Sequence, residues 1–182
     1  VGRNATLILN CPPDKTGHLP AATVNRLAEL GEMMQTRLGN DLAKKAQVSV
    51  SEERTAGGAR TYVAANLTDG EKDTYWATND GTNTATIEFT WDEPQDIRYI
   101  MLQEPIRLGQ RIEKFKVEYT TDGASWKKLG GAVQTTTVGY KRILPLNGST
   151  SSSYSKSYSA KAVRVTIESS RSCPALHTIS IY

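Results

Sequence analysis

The most regular alternation of apolar and polar residues lies between Ile112 and Tyr119, where Phe115, Val117 and Tyr119 alternate with Lys114, Lys116 and Glu118. A period of two puts one set on a buried face and the other in water, which predicts a half-buried strand. Asp122-Gly123, a dipeptide that tolerates a tight hairpin, follows it, and Trp126 restarts the apolar face on the next strand. Further strands are predicted over residues 84–91, 97–103, 126–129, 138–144, 162–168 and 178–182, separated by Gly, Pro, Asn and Asp turns. Short strands punctuated in this way predict an antiparallel sandwich. The Ser-rich run 149–159 falls between two strands and reads as a long exposed loop.

The first 46 residues follow a different pattern. Thr6-Leu7-Ile8-Leu9-Asn10-Cys11 reads as a short apolar strand and Pro12-Pro13-Asp14-Lys15-Thr16-Gly17 as a loop. A helix is predicted over 19–38, with Pro20 in the first turn, where its missing N–H does no harm. Val24, Leu27, Met34 and Leu38 form one apolar face, and Gly39-Asn40 reads as the stop. One strand and one helix cannot enclose a core, so this zone must pack on something else. Residues 47–66 are polar and small, a connector with room for the first sandwich strand.

A chain of 182 residues can bury a real core and suits one domain plus a fragment. The formal net charge of +3 forms no basic stripe, which counts against a nucleic-acid partner. The apolar runs are too short to span a bilayer, and loop tips such as 78–83 are polar, so membrane binding is not expected. No targeting segment is read, and the start at Val1 without Met reads as a processed or cut terminus. Cys11 and Cys173 lie far apart and read as buried thiols rather than a disulfide framework.

Two resemblances sharpen this reading. The Asp-Gly-x-x-Trp hairpin of residues 122–126 is similar to that of discoidin-like sandwiches, also called coagulation-factor type C domains or carbohydrate-binding module family 32. The run Val1-Gly2-Arg3-Asn4-Ala5-Thr6-Leu7-Ile8-Leu9-Asn10-Cys11-Pro12-Pro13-Asp14 resembles the end of the catalytic barrel in α-L-fucosidases of glycoside hydrolase family 29, with 19–38 as the closing helix. Segments 102–111, 138–143 and 170–174 resemble the sandwich that follows that barrel. The expected fold is therefore mainly β: an antiparallel jelly-roll sandwich, galactose-binding-domain-like, over 47–182. One strand and one helix from the end of a (β/α) barrel precede it over 1–46. The resemblance implies a parent enzyme, extracellular or periplasmic, that removes terminal α-L-fucose with retention. Retention needs two carboxyl groups about 5–5.5 Å apart, carried in a barrel by the ends of several strands. With one such strand present, and Asp14 in a turn context, no catalytic residue is assigned within this chain.

Two groups of side chains are candidates for sites. The loop 66–76 concentrates hard oxygen donors of the kind calcium takes six to eight of. The resemblance implies a structural calcium held by the carbonyls of Asn66 and Glu71 and the side chains of Asp69 and Thr74, with Thr178 where such domains often place a Glu. A turn closed by hydrogen bonds is the plainer reading of the same loop. Gln103, Glu104, Arg107, Gln110, Arg111, Tyr140, Arg142 and Arg171 form the second group. Planar Arg, Gln and Tyr side chains suit a carbohydrate such as a fucosylated glycan, yet the same residues suit docking on the barrel, the favoured reading. Glu104 and Arg111 are expected to pair across one loop. Trp76, Trp91 and Trp126 read as core, and Tyr75 and Tyr140 as candidate sugar-stacking rings. His177 reads as a strand-edge residue and His18 as solvated. Asn4, Asn66 and Asn147 begin sequons, and a glycan on Asn66 would crowd the calcium loop. The leading function is the C-terminal part of an α-L-fucosidase. A free-standing lectin-like adhesion module and a purely buttressing domain are the alternatives.

Overall fold

The computed structural model describes residues 2–56, 58–128, 135–146 and 157–182. Two antiparallel sheets enclose one core. The larger contains, in spatial order, β1 (Gln47–Val50), β3 (Ala85–Ile97), β8 (Tyr158–Ser170), β5 (Ile112–Thr120) and β6 (Lys127–Lys128). The smaller contains β10 (Thr178–Ile181), β4 (Tyr99–Gln103) and β7 (Arg142–Pro145). A pair of two-residue strands, β2 (Trp76–Ala77) and β9 (Ala175–Leu176), forms a third, small sheet. The alternation read from the sequence sets the core: Ile87, Phe89, Phe115, Val117, Val163, Val165 and Ile167 of the larger sheet form one cluster with Ile100, Leu102, Leu144, Ile179 and Ile181 of the smaller. β4 departs from the alternation, because all five of its residues are buried.

Several predicted boundaries move. The break expected at Asp92-Glu93-Pro94 is a bulge inside β3, where the register with β8 shifts between Thr90 and Gln95. Pro94 sits in that unpaired stretch, where it deletes no ladder bond. The strand predicted over 138–144 begins only at Arg142, and 126–129 contributes Lys127–Lys128, with Leu129 outside the described residues. The Asp122-Gly123 hairpin is wider than a two-residue turn, since its last paired residues are Tyr119 and Lys127. Asp122 closes it by accepting from the Thr120 hydroxyl and the Ala124 and Ser125 amides, and those bonds hold its carboxyl well below the usual range. Trp126 is not core: it is half-buried, with the Arg164 guanidinium 4.0 Å from its ring centroid. Trp76 and Trp91 are buried as expected. Most of the Ser-rich run and the Asn147 sequon fall outside the described residues.

The strand expected at 6–11 does not form, and Leu7, Ile8 and Leu9 are exposed. A strand exists only between neighbours that take its hydrogen bonds, and the described residues place none beside this segment. The preceding residues do find a partner. Arg3 bridges to Arg142, and the Gly2 carbonyl accepts from the Ile143 amide at 2.9 Å, so the segment lies along the free edge of β7. Asn4 donates its side-chain amide to the Val138 carbonyl and accepts from the Lys141 amide, both at 2.9 Å. Gly2 has φ +78, and a Cβ there would meet Ile143 at 2.6 Å, so only glycine fits. The helix forms as α1 (Ala21–Leu38), and none of its residues is buried. Val24, Leu30, Met33 and Met34 are exposed along it. Cys11 and Cys173 are free thiols, but only Cys173 is buried. Among the described residues no helix is long and apolar enough to cross a membrane.

Candidate functional site

Glu104 organises this end of the sandwich. It directly follows β4, is 1% exposed, and accepts the Arg111, Ile112 and Gly139 amides at 2.8, 2.9 and 2.6 Å. The expected ion pair with Arg111 is absent. The carboxylate takes the Arg111 backbone N–H, while the guanidinium donates to the Cys173 carbonyl and contacts its sulfur, both at 3.0 Å. A buried charge needs several donors at once, and three converging amides satisfy it better than one flexible side chain.

Around this anchor runs a groove of about 220 Å³ whose walls include Lys72, Asp73, Gln103, Ile106, Arg107 and Tyr140. Ile106 and Tyr140 are exposed on it, at 47% and 59%. Arg107 is held by the Asp73 carboxylate at 2.8 Å and carbonyl at 2.7 Å. Gln103 donates to the Tyr140 carbonyl at 3.1 Å, which fixes its amide. Of the predicted cluster, Gln103, Glu104, Arg107 and Tyr140 therefore converge. Arg111 turns to Cys173, Arg171 pairs with Glu113 at 2.9 Å, Arg142 lies in β7 beside Arg3, and Gln110 is exposed beyond the groove. Burial and the nearby Arg3 charge lower the pKa of Arg142. Tyr75 packs on Tyr62 with ring centroids 5.0 Å apart, and burial raises its pKa. It does not line the groove. His177 lies between β9 and β10, its amide bonded to the Gln103 carbonyl at 3.0 Å, and burial lowers its pKa. His18 is exposed.

The oxygen-rich loop lies beside this groove. Asp69 accepts the Glu71 amide at 2.8 Å and the Thr74 hydroxyl at 2.6 Å, and that hydroxyl lies 3.3 Å from the Glu71 carbonyl. A carboxylate, a hydroxyl and a carbonyl thus crowd one point, a donor set suited to a hard cation. Among the described residues no three His, Cys, Asp or Glu side chains converge, so a metal here would lean on carbonyls and hydroxyls. The Thr178 hydroxyl lies 2.7 Å from His177 Nδ1. Asn66 is buried and gives both side-chain hydrogens to the carbonyls of Thr61 and Tyr75, at 2.9 and 3.0 Å, clamping the loop ends together. Glycosylation would break that clamp. Asp14 accepts from the Thr16 amide and hydroxyl and the His18 amide, and the Thr16 bonds hold its pKa down. It is a turn acid.

Two antiparallel sheets packed as a jelly-roll sandwich are the architecture of discoidin-like domains. The chain belongs to the F5/8 type C domain family, whose model matches residues 47–178. Over its full length it is also similar to α-L-fucosidases. Alpha-L-fucosidase 1 of Arabidopsis thaliana is 27% identical over 183 residues, covering 100% of this chain and 34% of that protein. A Ruminococcus gnavus GH29 fucosidase solved in complex with fucose is 31% identical, with a TM-score of 0.83 over 100% of this chain and 34% of its own. A chitosan-binding module from a Paenibacillus chitosanase/glucanase, 17% identical with a TM-score of 0.61, shares the fold over 78% of this chain and 97% of its own. The chain thus spans about a third of the length of these two fucosidases. Both cover residues 1–46 as well as the sandwich.

Proposed function

We propose that the chain is the C-terminal region of a retaining α-L-fucosidase, in which residues 47–182 buttress the barrel and bind carbohydrate. The observation that carries this is the full-length likeness to fucosidases, which extends through the exposed apolar segment 7–9 and the unburied helix α1. A free-standing lectin has no use for such elements. Fully burying an apolar side chain is worth about 1.5–3 kcal/mol, so Leu7, Ile8, Leu9, Val24 and Met34 gain much from a barrel. The catalytic carboxylates lie in that barrel, outside residues 1–182. The enzyme works in the extracellular or periplasmic space, where polymeric glycans are met. In the groove, Ile106 and Tyr140 offer flat apolar surface to the C–H face of a sugar, and Arg107, Asp73 and Gln103 offer fixed polar groups. The isolated chain is expected to release no aryl group from an aryl α-L-fucoside at high protein concentration. Turnover that survives repurification and disappears in Asp14→Asn would overturn the assignment.

The loop 66–76 is proposed to hold a structural calcium through the Asn66 and Glu71 carbonyls and the Asp69 and Thr74 side chains. A metal there would fix the loop that forms one wall of the groove. A ligand binding only the folded state stabilises it by about 2.7 kcal/mol at a hundred times its Kd. Calcium is therefore expected to raise the melting temperature by several degrees, and Asp69→Ala to remove that shift. Identical melting curves in calcium and in chelator would reduce the loop to a hydrogen-bonded turn.

A further inference from the structure

Next to the sugar groove, and sharing Lys72, Gln103, Tyr140 and His177 with it, lies a larger cleft of about 400 Å³. Helix α1 ends against it at Leu38, and β10 forms part of its wall through Thr178 and Ser180. Lys44, Lys72 and Lys141 line it, brought from three separate parts of the chain. Seven other cations, Arg26, Arg54, Arg107, Lys114, Lys116, Arg164 and Arg171, each pair with a carboxylate. None of the three cleft lysines has such a partner among the described residues. Asp41 is the one carboxylate among the described lining residues. One of its oxygens already takes the Ala43 and Ile181 amides, both at 3.0 Å. Asp69 acts on His177 from nearby, and Lys72 and Lys141 act on it with the opposite sign. Three lysines lining one concave space, with Thr178 and Ser180 beside them, attract an anion more strongly than the same charges spread on a convex surface.

We infer that this cleft takes the acidic group of an anionic sugar, a carboxylate or sulfate on the glycan whose neutral ring rests against Ile106 and Tyr140. The inference rests on the carbohydrate-binding reading of the adjoining groove and adds to it the class of glycan. The volume suits one or two sugar units, and a chain of formal charge +3 lacks the long basic track that a nucleic acid needs. Thr178, Ser180 and Gln103 add uncharged polar groups that complete recognition beyond charge.

The test is titration of the chain with galacturonate, galactose 6-sulfate and galactose, followed by amide chemical shifts at 50 and 200 mM NaCl. The acidic sugars are expected to bind at least about tenfold more tightly than galactose at low salt, with the advantage shrinking at high salt. The largest shifts are expected at Lys72, Lys141 and His177. Lys44→Gln with Lys141→Gln, two lysines that line the cleft but not the groove, should bring the acidic sugars down to the affinity of galactose while leaving galactose binding unchanged. Equal binding of neutral and acidic sugars overturns the anionic preference alone. Binding of none of them overturns it together with the sugar-binding reading. Equal binding of inorganic sulfate or an oligonucleotide at the same residues would also overturn it, by showing an ion site without sugar recognition. The two acidic sugars separate carboxylate from sulfate as the preferred group.

Discussion

Glu104→Ala is expected to destabilise the chain by about 3–5 kcal/mol, since it removes a charged acceptor from three backbone amides and leaves those donors unpaired. Two of the donors, Ile112 and Gly139, belong to buried residues, where water cannot replace the carboxylate. Glu104 joins the start of β5 to the Gly139 turn and closes the loop that carries Ile106 and Arg107. The loss should therefore reach the groove as well as the fold. Glu104→Gln keeps the volume but points an amide donor at one of three N–H groups, so its effect should be intermediate. Urea denaturation of both variants checks this ordering. An alanine variant within about 1 kcal/mol of the parent would mean that the carboxylate does not hold these strands together.

The second large effect is expected at Trp76. The side chain is fully buried, and its indole N–H donates to the Glu52 carbonyl at 2.9 Å. Its strand pairs with β9 through Leu176, itself fully buried. Trp76→Ala should cost about 3–5 kcal/mol, the range found when a large aromatic leaves a packed core. Trp76→Phe retains most of the apolar volume but orphans the Glu52 carbonyl, and should cost about 1–3 kcal/mol. Tyr75 precedes Trp76 and its carbonyl holds one arm of the Asn66 clamp. Any stabilisation by calcium should therefore weaken in both variants. Melting curves with calcium and with chelator measure both effects in one experiment.

Sequence pattern was sufficient where structure follows from local alternation. Phe115, Val117, Val163 and Ile87 face the core because strand geometry leaves them no other face. It failed where a contact partner decides. Leu7, Ile8 and Leu9 have the composition of a strand but no neighbour to pair with among the described residues, and Trp126 stacks on an arginine from a strand distant in sequence. The second candidate cluster shows the same division. Gln103, Glu104 and Arg107 are close in sequence and stay together, whereas Arg142 and Arg171 are carried elsewhere by the topology. Lys44, Lys72 and Lys141 were invisible as a group, since only folding brings three distant segments to one cleft. Asp73 could have been suspected as a partner for Arg107 on charge alone, but nothing in the spacing singles it out from the other acids of its loop.

The proposed place of this sandwich in a fucose-cleaving enzyme is open to a direct measurement. An antibody raised against residues 47–182 should capture the native gene product from the cells that make it, for sizing and for assay on an aryl α-L-fucoside. A polypeptide roughly three times the 19.9 kDa of this chain is expected, the proportion set by the 34% that the chain covers of the Arabidopsis and Ruminococcus fucosidases. Fucosidase activity is expected to co-purify with that polypeptide. A captured protein of 19.9 kDa, or one of any size with no activity on the fucoside, would contradict it.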